Sequence, residues 1–177
     1  MTSAIHIVNG LHLESEGLEP LAHRVHQVFG VETKVLRSSL PLDRAFDQSR
    51  RQYNSTALLA LLFNQHSTPD HKNILIVDVD LYIPVLTFVF GEAQLNGVSA
   101  VVSTHRLRNQ FYGLPHDKQS LMGRLEKEVV HELGHTFGLY HCRQFECVMR
   151  SSTYVEEIDL KKVEPCDSCV ALLKETS

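Results

Sequence analysis

The sequence predicts an α/β fold built on a mixed β-sheet, and three features carry that prediction. Strand-like and helix-like stretches alternate through the first half, which favours parallel pairing. An Asn96-Gly97 pair then joins two further strand-like runs, a hairpin signal that makes one later pair antiparallel. With 177 residues, 43% of them apolar and 21% charged, the chain can bury a core as one domain without crosslinks.

Taken in order, SAIHIVN (3–9) alternates and reads as a first strand. Apolar residues at 18, 21, 22, 25, 28 and 29 have helical spacing, and Gly30 is the stop. TKVLRSS (33–39) reads as a second strand, ended by Pro41. The polar segment 43–52 gives no clear element. A Leu/Ala-rich helix is expected from Tyr53 to Phe63, broken by STPD (67–70). NILIVDVDLY (73–82) has the β-branched, apolar character of a central strand and ends before Pro84. FVFGEAQL (88–95) and VSAVVSTHRL (98–107) flank the Asn-Gly pair as two more strands. The loop NQFYGLPHD (109–117) leads to a long helix beginning near Lys118 and ending near Gly138. The remainder, 142–177, reads as irregular apart from an apolar turn at 169–173.

Composition excludes several classes of function. The formal charge is −4 with no long basic run, which argues against a nucleic-acid partner. MTSAIHIVNG lacks a basic start followed by an apolar stretch, so no secretory signal is expected. The most apolar stretch, ILIVDVDLYIPVLTFVF, is interrupted by Asp78, Asp80 and Pro84 and is too charged to span a bilayer. These features predict a cytoplasmic protein without a membrane partner, and a monomer is expected. In that setting four cysteines confined to the last 36 residues suggest metal binding more than disulfides.

The chemistry is concentrated in HELGHTFGLYHC (131–142). Residues four apart share a helix face, so His131 and His135 can aim at one ion. Glu132 is turned about 100° from His131 and can flank the ion without ligating it. Had the helix continued, His141 would lie about 9 Å beyond His135 along the axis, facing elsewhere. Gly138 can adopt the left-handed conformation that ends helices, which lets His141 swing back as third ligand. Three imidazoles leave one tetrahedral position open, as a catalytic zinc requires. HExxH alone can arise by chance among eleven histidines, but HExxHxxGxxH fixes five positions over eleven residues, beginning on a predicted helix. His6, His12, His23, His26, His66 and His71 are expected on the surface, and His105 and His116 are expected as non-ligands.

Cys142, Cys147, Cys166 and Cys169 form two close pairs separated by eighteen residues, near a four-cysteine zinc pattern. Two disulfides, or a redox-active Cys-x-x-Cys, are the alternatives. A second, structural zinc here would occupy Cys142 and keep its thiol from the adjacent catalytic site. It would also fold a polar tail.

HExxHxxGxxH with a methionine downstream resembles the metzincin clan of zinc peptidases. HELGHTFGLYHC, CVM (147–149) and CDSC (166–169) resemble an archaemetzincin, as do FVFGEAQ (88–94), VSAVVST (98–104) and DVDLY (78–82). The resemblance implies a compact catalytic domain spanning 1–177. It would have a twisted, mostly parallel sheet with an antiparallel edge strand above the active-site helix, up to about residue 138. A small lower part, 139–177, would carry the four-cysteine site. It implies a zinc metalloprotease with two Zn2+ per chain, Met149 as the methionine turn and a peptide or protein substrate. Phe88 to Gln94 corresponds to the edge strand, where Phe90, Gly91 and Glu92 would contact substrate. Glu132 would be the general base. Where some clan members have a tyrosine two residues after the methionine, this chain has Ser151. No cysteine precedes the active-site helix, so a prosegment cysteine switch is not possible within this sequence. Two other readings remain: a catalytically weak zinc protein that binds peptides or a partner in its cleft, and an interaction module built on the tail. Five basic against seven acidic residues after Cys142, with Phe145 and Tyr154 the only aromatics, weigh against nucleic acid for the latter.

Overall fold

In a computed structural model describing residues 2–11 and 17–176, four parallel strands form most of one sheet. They are β1 (Ala4–Asn9), β2 (Glu32–Arg37), β5 (His71–Val77) and β8 (Ser99–Ser103). β7 (Gly91–Ala93) closes one edge, antiparallel to β8, giving the order β2-β1-β5-β8-β7. Helix α1 (Glu19–Phe29) crosses from β1 to β2, and α2 (Ser55–His66) precedes β5. Helix α3 (Lys118–Thr136) follows β8, and two short helices, α4 (Val155–Asp159) and α5 (Asp167–Thr176), lie in the tail. His12 lies outside the described residues. Among them, no helix is long and apolar enough to cross a membrane.

Both faces of the sheet are covered, and the alternation of side chains along each strand divides them. Ile5, Ile7, Ile74, Ile76, Ala100 and Val102 face α1, α3 and the tail. Val8, Leu75, Val77 and Val101 face α2. Val148, Met149, Ile158 and Leu173 belong to the first of these cores, so the tail is packed against the sheet domain.

The caps follow local chemistry. Gly30 closes α1 with φ +67°. Asn54 and Asp117 accept backbone N–H groups at the starts of α2 and α3.

Three expectations are revised. The strand expected over 73–82 stops at Val77, because the aspartates after it are drawn out to cationic and amide partners. Asp80 takes a forked pair from Arg106 at 2.6 and 2.8 Å and a bond from Gln52. The chain continues as β6 (Leu81–Tyr82) in a small second sheet with β4 (Gln52–Asn54) and β3 (Phe46–Asp47), which gives structure to the segment 43–52. The strand expected to reach 107 ends at Ser103, since Arg106 turns to meet Asp80. The Asn96-Gly97 turn is wider than two residues: Gln94 N–H bonds Ser99 O, and Asn96 has φ +53°. Its tip docks on α3, with Asn96 N–H donating to His135 O at 2.9 Å. Lys72 bridges the two, donating to Gly97 O and Thr136 O, and sets a cation at the negative end of the helix.

Candidate metal centre and cleft

The last turn of α3 is built to stop. Gly138 has φ +89°, its N–H bonds His135 O, and Leu139 N–H reaches back to Gly134 O at 3.0 Å. This paired pattern is a Schellman close, and it turns the chain so that His141 returns to the helix face. The three rings converge, with His141 4.9 and 5.3 Å from the other two by centroid.

The orientation of the rings decides what they can hold. His131 Nδ1 lies 2.8 Å from Val148 O and His135 Nδ1 lies 2.7 Å from Leu139 O. A carbonyl only accepts, so each Nδ1 carries the proton and each Nε2 presents a lone pair. Those two Nε2 atoms face each other at 3.1 Å. Nitrogens bound to one zinc at about 2.0 Å in a tetrahedron stand about 3.3 Å apart. One ligand atom from each of the three histidines lies within 4.8 Å of the others. Burial holds all three imidazoles below their ordinary value, His131 furthest, which keeps them neutral and able to ligate. The residues present therefore fit a zinc ion.

Glu132 sits beside them, almost wholly buried, with its carboxyl pushed well up by burial and then by the Glu128 and Glu92 carboxylates. Its approach to the edge strand depends on Gly91. A Cβ there would stand 2.7 Å from Glu132 Cγ and 2.7 Å from Val101 O. Gly91→Ala is expected to lower kcat about 100-fold by displacing Glu132, at a stability cost of about 1–3 kcal/mol for overpacking. Peptide turnover measured beside a thermal melt checks both. Gly134, inside the HExxH stretch, serves a second close approach: a Cβ there would collide with Met149 Sδ. Met149 is fully buried against that point of the helix, and its carbonyl accepts from Cys142 N–H at 2.9 Å.

Two buried neighbours of this cluster have weak sequence signals or none. Lys161 is buried and donates to Glu128 Oε1 (3.3 Å), Val148 O (3.3 Å) and Arg150 O (3.0 Å). It thus grips both neighbours of Met149 and shares Val148 O with His131. Glu128 was findable as the acid four residues before Glu132 on the same helix face. Nothing in the sequence pairs it with Lys161. His105 and His116 stay out of the cluster and approach Asp78 O and Gln110 instead.

Two recesses flank Glu132 and His141. One, of about 380 Å3, runs from Leu86 to Gly91, over Glu128, to Ser151–Thr153. The other, of about 340 Å3, is more open and lies between Glu92, Leu95 and Tyr140. Phe90 and Gly91 line the first. Glu92 borders the second, while its carboxylate takes hydrogen bonds from Ser55 and Thr56 at the start of α2.

The cysteines form a second cluster immediately behind His141. Sγ–Sγ separations are 3.8 Å for Cys142–Cys166 and 3.8 Å for Cys147–Cys169, and all four thiols are free. Thiolates bound to one zinc at about 2.3 Å in a tetrahedron stand about 3.8 Å apart, whereas a disulfide closes to about 2.05 Å. The Cys169 N–H, at the start of α5, brings Cys166 down to about 7, while burial pushes Cys147 and Cys169 up.

A model of the peptidase family M54 matches residues 24–175. An archaemetzincin from Methanocaldococcus jannaschii is 38% identical over 165 residues, covering 92% of this chain and 88% of that protein. One from Archaeoglobus fulgidus is 36% identical over 167 residues, covering 94% and 97%. Among solved structures, an archaemetzincin from Methanopyrus kandleri superimposes with a TM-score of 0.84 at 34% identity, covering 99% of this chain and 95% of that one. A zinc-dependent peptidase from Methanocorpusculum labreanum gives 0.86 at 29% identity, covering 96% and 99%.

Proposed function

This chain belongs to peptidase family M54 and is a zinc metallopeptidase, and from that premise we propose that it hydrolyses peptide bonds with zinc held by His131, His135 and His141 and Glu132 as general base. The observation that carries this reading is the pair of carbonyl-anchored imidazoles whose Nε2 lone pairs meet at 3.1 Å. A second, structural zinc is assigned to Cys142, Cys147, Cys166 and Cys169, on the match of the sulfur spacing to a thiolate tetrahedron.

An extended peptide would lie along β7. In the antiparallel ladder Phe90 and Gln94 bond towards β8, so Gly91 and Ala93 turn their N–H and C=O groups outward. Those groups are free to add a strand, which brings a scissile carbonyl over Glu132. Bound at the imidazoles, zinc supplies Lewis acidity towards a water and that carbonyl. Glu132 takes the proton of the attacking water and delivers it to the leaving amine. Its burial raises its affinity for that proton, and Gly91 leaves the space in which it works.

The test is elemental analysis of the purified protein together with a broad peptide-library digest. Two zinc ions per chain are expected, with cleavage that stops under a strong chelator and returns when zinc is restored. Peptides that bind tightly but are never cut would replace this reading with that of a peptide-binding protein.

A further inference from the structure

The recess of about 380 Å3 beside Glu132 is lined by residues of two characters. Phe88, Val89 and Phe90 supply apolar wall, and Glu128 lies at the base. Glu128 is 4% exposed, and its carboxylate has one hydrogen-bond partner among the described residues, Lys161 at Oε1. Lys161 has no donor left for the cleft, because its three protons meet Glu128, Val148 O and Arg150 O. Ser152, in the same lining, has an Oγ buried without a hydrogen-bond partner among the described residues, a hydroxyl that can donate as well as accept. The acceptor that this floor offers is therefore the second Glu128 oxygen. Glu128 and Glu132 bring two carboxyl groups to this lining, whereas the cations that act on Glu128, Lys161 by hydrogen bond and Lys127 by charge alone, do not line it.

We propose that Glu128 is a specificity-determining residue that selects peptides with a lysine or arginine beside the scissile bond. The proposal rests on the peptidase reading above. A long basic side chain matches both parts of the recess: its methylenes lie along the aromatic and aliphatic wall while its charged head donates to the free Glu128 oxygen. An apolar side chain of similar length would fill the wall and leave a buried carboxylate oxygen unmet, which is disfavoured. Glu128 reaches substrate through this oxygen only, and Lys161 positions it through the other.

A position-scanning peptide library, read by mass spectrometry on the zinc-loaded protein, should show at least about tenfold faster cleavage when one residue flanking the cut is Arg or Lys in place of Leu. Glu128→Gln keeps an acceptor for Lys161 and removes the charge, and should erase most of that preference. The double variant Glu128→Met/Lys161→Met removes both charges together, leaves neither one orphaned, and should favour Leu. Fluorescence anisotropy of labelled Arg and Leu peptides on the zinc-loaded Glu132→Ala protein should show the same ranking without turnover. Cleavage with apolar preference at both flanking positions, or an undiminished basic preference in Glu128→Gln, would overturn the role of Glu128 and leave the peptidase reading standing. Neither cleavage nor binding of any peptide would overturn both.

Discussion

Replacing Glu132 with alanine is expected to reduce peptide turnover by about 10²–10⁴-fold, the range removed with a general acid–base group, while zinc content and fold persist. No metal ligand is lost, because His131 and His135 take their orientation from Val148 O and Leu139 O. The fold should tolerate the change, since a carboxylate raised by burial and by Glu128 is a burden on the folded state once ionised. The sign can be followed in metal-free protein. Below the ordinary glutamate value both states are protonated at this site and nothing is lost. As pH climbs from there towards the raised folded value, the unfolded chain ionises first and the native protein loses stability. The alanine variant lacks this contribution, so its melting temperature should fall less across that interval. Steady-state kinetics, zinc analysis and melts against pH check the three parts separately, and unchanged turnover in the variant would remove Glu132 from the mechanism.

Cys169→Ala is expected to do wider damage. The thiol is small and its loss leaves little cavity, so a large effect would come through the structural zinc proposed for the four cysteines. Structural zinc contributes about 10–16 kcal/mol to the folding of isolated zinc-finger peptides. The tail here is also held by Val155, Ile158 and Leu173 in the main core, so only part of that is at stake. Even 4 kcal/mol would lower the melting temperature by about 8–16 °C for a chain of this size. Zinc should fall from two equivalents to one or fewer, and catalysis should fall with it. The coupling is covalent and short: Cys142 follows His141, and Cys147 precedes Val148 and Met149. The Cys142 N–H to Met149 O bond ties the two segments together. Full activity with one zinc per chain would show that the cysteines do not support the catalytic site.

The α/β class and the parallel pairs were legible because buried strands and amphipathic helices have distinct periods. The antiparallel pair was legible from Asn96-Gly97 and its edge position from the family resemblance, although of the strand expected over 88–95 only Gly91–Ala93 pairs with β8. The convergence of His131, His135 and His141 was legible because the three are close in sequence and the turn at Gly138 has a residue-level cause. The break after Val77 was not, because the partner that draws out Asp80 is Arg106, twenty-six residues on. The width of the Asn96-Gly97 turn was hidden for the same reason, since it is set by docking on α3. Lys161 was invisible because a lysine in a polar tail gives no sign of burial. Gly134 was readable in principle, as a glycine inside a strong helix, but only the position of Met149 explains it.

The partner that aims His131 and the ammonium that holds Glu128 both come from downstream of α3. A nascent chain halted just after His141 would carry all three imidazoles and the Leu139 carbonyl that aims His135, but not the Val148 carbonyl that aims His131. The setting of the His131 ring is therefore completed only once the cysteine-bearing tail has emerged and folded back onto α3.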